Sequence, residues 1–257
     1  MLRRHLHTAF SLCCEPGDLR SVNQDRVLAR QGEISGFQAG LFLVADGCGG
    51  LCRGEAVSGL LADSFQVIWD RELPALLAAC RRPEDVIPDA LAQWVDKINE
   101  SAYAFGRQVG ERVGSTLTVL LTLDRRYYIL NVGDSRAYLR RGRRLCQLTE
   151  DQSLVADMLR NREITPEEAV RFRQKNILTM CVGYFDRVQV FRTQGKLRRG
   201  DLFLLCTDGL YHGVGEDRLE ASLPELVTED SAAALRDRIA AGDARDNVSA
   251  VLVQIIP

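Results

Sequence analysis

The chain has 257 residues, of which 46% are hydrophobic and 26% charged, and its formal net charge is −2. These values are ordinary for a globular protein that buries a substantial core. Because acidic and basic residues nearly balance, the net charge argues against broad electrostatic capture of nucleic acid or of an anionic membrane. The arginine-rich run at 140–144 is the main local exception, and we interpret it as a solvated hairpin tip rather than a docking patch.

The cysteine content bears on the redox state of the protein. Eight cysteines occur without a paired CxxC spacing, and only three histidines accompany them, so a zinc site is not indicated. The N-terminus does not have the pattern of a signal peptide, and the chain lacks the run of about 20 apolar residues that spans a bilayer. With no linker-like stretch either, we predict reduced thiols in one soluble, cytoplasmic domain spanning 1–257.

The predicted elements of the first half begin with a short buried strand, Leu41–Ala45, which ends in an Asp-Gly turn. A strand-like segment at 26–30 precedes it. Two amphipathic helices follow at 53–70 and 88–108, because apolar residues recur there at helical spacing. Four further strands are then predicted, at 116–123, 127–132, 136–140 and 144–148.

The second half begins with a helix-start signal, Thr-Pro-Glu-Glu at 165–168. A buried strand is predicted at 201–206, a helix at 231–241 and a closing strand at 248–256. Strands therefore come in runs rather than alternating with helices. This order predicts an α+β fold, in which a central sandwich of two mainly antiparallel β-sheets is flanked by α-helices in the layer order α-β-β-α.

Aspartates stand at the ends of the predicted strands. Asp46, Asp134 and Asp208 each follow a strand, whereas Asp246 precedes the last one and Asp25 the first. Side chains at the ends of neighbouring strands can converge on one edge of a sandwich, where so much negative charge is costly unless cations neutralise it. Oxygen ligands without histidine or thiolate select hard cations such as Mg²⁺ or Mn²⁺. A lone Asp-Gly is most often only a turn, so the prediction rests on the set.

Eight short motifs, in order along the chain, carry a family resemblance. They are RSVNQD at 20–25, VADGCGG at 44–50, GEAVS at 54–58, GST at 114–116, NVGDSR at 131–136, LTEDQS at 148–153, LCTDG at 205–209 and RDN at 245–247. Each motif alone is weak, but eight in the correct order are specific. The sequence resembles the metal-dependent protein phosphatases of type 2C, and closely resembles their compact bacterial members.

The resemblance implies a site for two Mn²⁺ or Mg²⁺ ions. Asp46 would bridge the two ions, and the carbonyl oxygen of Gly47 would bind one of them. Asp208 and Asp246 would complete the shell of the other ion. Asp25 would contact the site directly or through bound water.

Further roles follow from the same resemblance. Asp134, together with Asp208, is similar to the acidic group that holds a third, weaker ion in bacterial relatives. Arg20 matches the arginine that binds the substrate phosphate, so the expected catalytic set is Arg20 with Asp46, Asp208 and Asp246. Three motif residues are interpreted as supports of the aspartate turns, namely Asn247, Ser135 and Arg136. The glycines after Asp46 would let the backbone approach a cation closely, namely Gly47, Gly49 and Gly50.

The implied activity is hydrolysis of phosphoserine and phosphothreonine monoesters. Two cations about 4 Å apart lower the pKa of a bridging water, so that hydroxide forms near neutral pH and attacks phosphorus in line. The expected partners are phosphorylated proteins, including a serine/threonine kinase or its substrates, and not nucleic acid or membrane. Nothing in the sequence demands more than a monomer.

The sequence departs from the family pattern at several positions. Cys48 and Leu51 stand where bacterial members usually have methionine and histidine, and Gln152 replaces a usual histidine. Leaving-group protonation is therefore expected from a metal-bound water, with Cys48 as a packing residue. The region at about 154–177 corresponds to a flap beside the active site, and its sequence names no substrate.

Two alternatives remain open. The first is a catalytically inactive relative that acts as a regulatory or phosphoprotein-binding module, although the presence of Asp46, Asp208 and Asp246 disfavours it. The second is another two-metal hydrolase, such as a nuclease, which the near-neutral charge and the lack of a basic groove signature disfavour.

Overall fold

Two five-stranded antiparallel sheets form the centre of the molecule. This computed structural model describes residues 6–48, 53–172, 174, 177–239 and 244–256, and only the backbone of Val170. Within those ranges the strands are β1 (His7–Glu15), β2 (Asp25–Ile34), β3 (Phe37–Asp46), β4 (Leu117–Leu123), β5 (Arg126–Val132), β6 (Arg136–Arg141), β7 (Arg144–Gln147), β8 (Phe191–Lys196), β9 (Leu202–Cys206) and β10 (Val248–Ile256).

Most of the helices lie on the outer faces of the two sheets, whereas two short ones belong to the separate region at 154–177. Those of the described ranges are α1 (Gly54–Val67), α2 (Leu73–Ala79), α3 (Pro83–Val109), α4 (Leu154–Arg160), α5 (Pro166–Arg171), α6 (Asp208–Val214), α7 (Glu216–Ser222) and α8 (Ser231–Arg236). A π-helical turn, Ile68–Glu72, joins α1 to α2. None of the described helices is long and apolar enough to cross a bilayer.

The strand orders are β1-β10-β9-β6-β7 in one sheet and β2-β3-β4-β5-β8 in the other. Three apolar clusters lie between the four layers of helices and sheets. One packs α1 and α3 against the β3 sheet, one packs α6 and α8 against the β10 sheet, and the third lies between the sheets. The predicted α+β sandwich with helices on both outer faces is therefore confirmed.

Strand β3 shows why the Leu41–Ala45 run is continuously apolar. Leu41 and Leu43 face the helical layer, whereas Phe42 and Val44 face the opposite sheet, and all four are buried. Successive side chains of a strand point to opposite faces, so a strand that is covered on both sides has no polar position. The same argument holds for β9, and for β10 apart from the buried polar residues Ser249 and Gln254; the sequence also predicted both strands.

Several elements differ from the predictions. The helix predicted at 88–108 begins earlier, at Pro83, where a proline at the first helical position loses no hydrogen bond, and Pro88 lies inside it. The helix predicted at 53–70 passes at Ile68 into the π-helical turn. The helix predicted at 231–241 is α-helical only to Arg236, and residues 240–243 lie outside the described ranges.

Edge strands β1 and β8 were not predicted, nor were helices α6 and α7. Side chains of β8 alternate between half-buried and exposed, and five of its six residues are not large apolar ones, so the strand lacks an apolar pattern. Helix α6 follows β9 without a loop, and its first residue is the Asp of the Asp-Gly that we had interpreted as a turn. An Asp-Gly pair is typical of a turn, so the sequence did not indicate that a helix begins at Asp208.

The region at 154–177 contains α4 and α5. The predicted helix start is confirmed as a capping box, in which Thr165 N–H donates to Glu168 Oε2 (2.8 Å) and Glu168 N–H donates to Thr165 Oγ1 (3.2 Å). Leu154 N–H donates to the carbonyl of Ile177 (2.8 Å), so the two ends of the region meet at its base. That it acts as a flap stays a prediction.

A substitution in the layer between the sheets tests the packing. Leu205→Ala removes a side chain that is fully buried there, so we expect the free energy of unfolding to fall by about 2–5 kcal/mol. The matched control is Leu226→Ala, because Leu226 is 73% exposed and should cost less than about 0.5 kcal/mol. Urea unfolding of both variants measures the difference, and equal losses would contradict this packing.

Candidate active site

The five aspartates singled out in the sequence lie at one end of the sandwich. Asp25 is the first residue of β2 and Asp46 the last of β3, and the two pair directly across the strands. Asp134 follows β5, Asp208 opens α6 directly after β9, and Asp246 lies two residues before β10. Neighbouring antiparallel strands start and end at the same edge, which explains how residues far apart in sequence come together.

A two-residue turn fixes the pairing of Asp25 with Asp46. Strand β2 ends at Ile34 and β3 begins at Phe37, and the intervening Ser35 and Gly36 both have positive φ (52° and 81°). Such turns match the twist of a hairpin and set its register without a bulge. The ladder then runs unbroken from this turn to the two aspartates.

Asp25 is completely buried at the start of β2. Thr207 Oγ1 donates to its Oδ2 (3.0 Å), whereas its Oδ1 has no well-formed hydrogen bond among the described residues, although Ser249 and Asp46 adjoin the carboxylate. Burial raises the pKa of Asp25 to about 7, against the hydrogen bonds it accepts, and the charge of Asp208 adds to the rise. A cation would favour the ionised form.

The carboxylate of Asp46 is affected by the charges of the other four aspartates. Removal from bulk water raises its pKa well above the usual value, and the charges of Asp25, Asp208, Asp134 and Asp246 raise it further. Every member of the set therefore lies within electrostatic reach of Asp46. Concentrated like charge of this kind is typical of a site that binds cations.

Asp134 and Asp208 show the same effect. Burial raises the pKa of Asp134 to about 8, and the charges of Asp208 and Asp151 contribute. Burial also raises the pKa of Asp208, while His212, whose Nδ1 lies 3.9 Å from Asp208 Oδ2, lowers it. His212 was not predicted as part of this site, because nothing in its spacing marks it before α6 is known.

Arg20 contacts one of the aspartates directly. Its Nε and Nη2 donate to Asp246 Oδ1 and Oδ2 (2.9 and 2.8 Å), so guanidinium and carboxylate meet as a two-pronged pair. Both side chains are partly exposed at the mouth of the site. A guanidinium with two parallel donors fits carboxylate and phosphate oxygens alike.

Asn247 ties the Arg20 segment to Asp246. Its Oδ1 accepts from Gln24 N–H (2.8 Å), and its Nδ2 donates to the carbonyls of Pro16 (2.9 Å) and Val22 (3.2 Å). The segment between β1 and β2 is thereby held at both ends by one side chain. Asn247 is thus placed to support the turn that carries Asp246, and its role there stays a prediction.

Ser135 and Arg136 adjoin the Asp134 turn. Ser135 Oγ lies 2.6 Å from Thr116 Oγ1, which in turn accepts from Asp46 N–H (3.0 Å), so the turn is linked to the end of β3. Arg136 forms an ion pair with Asp151 (2.7 Å) and stacks 3.9 Å from the centre of the Tyr211 ring. The Tyr211 hydroxyl donates to the carbonyl of Asp134 (3.2 Å).

Thr207, Asp151 and Tyr211 were missed as site residues in the sequence. Thr207 and Asp151 fall inside quoted motifs, so the motifs could have marked them. Tyr211 follows the last residue of its motif by two positions. Only the start of α6 after β9 brings it under the Asp134 turn.

Gly47 permits a close approach of two backbone segments. A Cβ there would lie 2.5 Å from the carbonyl carbon of Gly54 and 2.8 Å from the carbonyl oxygen of Gln24, so any side chain would clash. The sequence predicts that this glycine makes room for a cation. In the structure, the neighbouring group that leaves no space for a side chain is the start of α1. Gly49, Gly50, Leu51 and Cys52 lie outside the described residues.

Carboxylate oxygens are the charged donors that this end of the sandwich offers a metal. Within the described ranges, no three His, Cys, Asp or Glu side chains lie in an arrangement ready to hold an ion. The electrostatic coupling of Asp46 nevertheless joins all five aspartates, and Asp246 is occupied by Arg20. Rotation of Asp246 about its side-chain bonds would free its carboxylate from Arg20 without any movement of the backbone.

Comparisons with known proteins agree with this arrangement. Residues 20–255 match the family described as Protein phosphatase 2C. The serine/threonine phosphatase stp of Listeria monocytogenes is 32% identical over 217 residues, which cover 83% of this chain and 84% of the relative. The protein phosphatase PhpP of Streptococcus pneumoniae is 30% identical over 226 residues, which cover 86% and 85%.

Solved structures give the same result. The serine/threonine phosphatase Stp1 of Staphylococcus aureus superposes with a TM-score of 0.85 at 27% identity, covering 98% of this chain and 96% of that one. The catalytic domain of the phosphatase PstP, in complex with two manganese ions, superposes with a TM-score of 0.81 at 28% identity, covering 98% and 100%. The chain therefore belongs to the protein phosphatase 2C family.

Proposed function

We propose that the aspartate end of the sandwich is the catalytic site of a protein serine/threonine phosphatase, which hydrolyses phosphoserine and phosphothreonine monoesters with a water as nucleophile. The observation that carries the proposal is the convergence of five aspartates from both sheets on one end of the sandwich, beside an arginine with two parallel N–H donors. The names of the relatives support an active enzyme over an inactive regulatory or phosphoprotein-binding module.

Hard divalent cations fit the donors of this site. Asp25 has a buried oxygen without a well-formed hydrogen bond, and burial together with mutual repulsion raises the pKa values of the aspartates, as expected of carboxylates suited to a cation. We propose two Mn²⁺ or Mg²⁺ ions, and by likeness to the bacterial family members a third, more weakly bound ion. When bound, they would supply a water of lowered pKa and neutralise the substrate phosphate.

The proposed roles follow the family pattern residue by residue. Asp46 and the carbonyl oxygen of Gly47, with Asp208 and Asp246, would hold the two ions, and Asp25 would contact the site directly or through water. Asp134, with Asp208, would hold the third. Their positions at strand ends support these roles, because the sheet backbone fixes them relative to one another.

Arg20 is the proposed phosphate-binding residue. It already binds an anion, the carboxylate of Asp246, through two parallel N–H groups, and it stands partly exposed at the mouth of the site. A phosphate monoester presents oxygens at similar spacing. Arg20 would orient the ester and offset charge on its oxygens during attack.

A cysteine nucleophile has no support. Contact with Cys181 and burial raise the pKa of Cys48 well above the usual value, so its thiol stays neutral. The same contact supports the packing role expected for Cys48. The cysteines in the described ranges are free thiols.

The broader setting is also a proposal. Substrates would be phosphorylated proteins, including a serine/threonine kinase or its targets, in cytoplasmic signal transduction. The enzyme would act as a monomer, as one domain over 1–257, with the region at 154–177 as a flap whose α4 and α5 border the site.

Asp208→Asn tests the metal-dependent chemistry. The amide keeps the shape of the side chain but removes the charge, so we expect manganese-dependent hydrolysis of para-nitrophenyl phosphate to fall at least about a hundredfold. Asp63→Asn is the matched control, since Asp63 is exposed on α1. Equal activity of both variants would refute the assignment, and cleavage of DNA or RNA by the wild type would favour the nuclease alternative.

Arg20→Ala separates substrate binding from chemistry. Loss of the two-pronged donor should raise KM for a phosphopeptide about tenfold or more while kcat falls less. Arg20→Lys, which keeps the charge without the fork, should give an intermediate KM. Arg71→Ala, at an exposed arginine of the π-helical turn, is the control. An unchanged KM in Arg20→Ala would remove Arg20 from the substrate site.

The raised pKa of Asp25 predicts how stability depends on pH in the presence of a chelator. The folded state holds the Asp25 proton up to about pH 7, whereas an unfolded Asp loses it near pH 3.9. This contribution is therefore present below about pH 4 and is lost as the pH rises through about 7.

The Asp25→Asn variant lacks that titration. In EDTA, the urea midpoint of the wild type should fall relative to Asp25→Asn between about pH 5 and pH 8. Asp63→Asn should track the wild type across the same range. Parallel curves for the wild type and Asp25→Asn would show that the Asp25 pKa is not raised.

A further inference from the structure

A cluster of exposed cations lies at the end of the sandwich opposite the aspartates. Three connections meet there: the β4–β5 turn, the β6–β7 turn and the loop from β8 to β9. Strand β6 packs on β4, so the edge strands β7 and β8 of the two sheets lie on the same side of the molecule. We call this surface the basic corner, and it consists of Arg125, Arg143, Arg144, Lys196, Arg198 and Arg199.

Hydrogen bonds to backbone carbonyls hold the three connections together. Leu197 N–H donates to the carbonyl of Arg125 (2.9 Å), which joins the β8–β9 loop to the β4–β5 turn. Arg141 Nη2 donates to the carbonyl of Lys196 (2.8 Å), which joins the same loop to the β6–β7 turn. The basic corner is therefore one surface built from both sheets, rather than three independent loop tips.

The acidic side chains next to the basic corner accept hydrogen bonds from neighbouring groups. Asp201 is 1% exposed, and it accepts two hydrogen bonds from Arg141 (2.8 and 2.7 Å) and one from Arg198 N–H (2.7 Å). Asp124 Oδ1 accepts from Gln38 N–H (3.1 Å). Across the described residues, none of the six corner side chains makes an ion pair or a side-chain hydrogen bond, so their charges point into solvent.

The basic corner and the aspartates are too far apart for their charges to neutralise each other in the presence of salt. Strand β5 runs from Arg126 near the corner towards Asp134, and seven residues of a strand span about 20 Å. Salt at physiological strength screens charges beyond about 8 Å. The net charge of −2, which argued against an anionic partner, is an average over two ends of opposite sign.

We propose that the basic corner binds an anionic lipid surface. Its cations lie on two turns and a loop contributed by both sheets, so a broad charged surface meets several at once. Nucleic acid has less support, because the corner offers neither a helix to enter a groove nor an aromatic ring to stack on bases. Clusters of four to eight Lys/Arg suit anionic membranes. A molecule held this way would present its catalytic end to the solvent.

Vesicle co-sedimentation of the full chain tests the proposal. Vesicles of phosphatidylcholine alone are compared with vesicles that also contain phosphatidylglycerol. The wild type should bind only the anionic vesicles and should dissociate in about 1 M salt. The variant Arg143→Glu/Arg199→Glu should bind at least about tenfold more weakly.

A second charge reversal controls for net charge. Arg71→Glu/Arg107→Glu changes the total charge equally but lies outside the corner, so it should bind like the wild type. Hydrolysis of para-nitrophenyl phosphate should be unchanged in both variants, which verifies folding and separates this proposal from the catalytic one. Equal binding by both variants, no binding by the wild type, or binding of DNA or polyglutamate without vesicles would overturn the proposal.

Discussion

Burial of like charges in one strand pair is the constraint on which the site depends. Asp25 and Asp46 face each other at the end of a ladder whose register is set by the Ser35–Gly36 turn at its opposite end. A shift of one residue would exchange the side chains on the two covered faces of β3, so that Phe42 would meet the helical layer instead of the opposite sheet; the close packing of both layers opposes such a shift. Holding carboxylates where burial disfavours their charge thus offsets part of the stability of the apolar layers.

Much of the fold could be predicted because its central strands are covered on both sides. Continuous apolar runs mark β3, β9 and β10, whereas β8 at a sheet edge has no pattern to find. The motifs located the aspartates in sequence, but their convergence needed the strand order, which no local signal contains. Residues such as Tyr211 and His212 became visible only with α6, because their place depends on how that helix leaves β9.

The distribution of charge is a second property that composition hides. A near-zero total predicts no anionic surface as partner, yet five aspartates gather at one end of the strands and six exposed lysine and arginine residues at the other. Sorting arises because turn tips at one end of the sheets carry arginines while strand ends at the other carry aspartates. Since screening is short-ranged, local charge rather than total charge decides what each end attracts.

The Arg20–Asp246 ion pair links the binding of a substrate oxyanion to the binding of a cation. One guanidinium serves a carboxylate with both of its parallel N–H groups, so an incoming oxyanion can take that position only by exchange. If Arg20 binds the ester and Asp246 a cation, as proposed, binding of the ester by Arg20 would at the same time release the Asp246 carboxylate for the cation. Asn247 holds Arg20 and Asp246 near each other, because it binds the chain segment that carries Arg20 and directly follows Asp246.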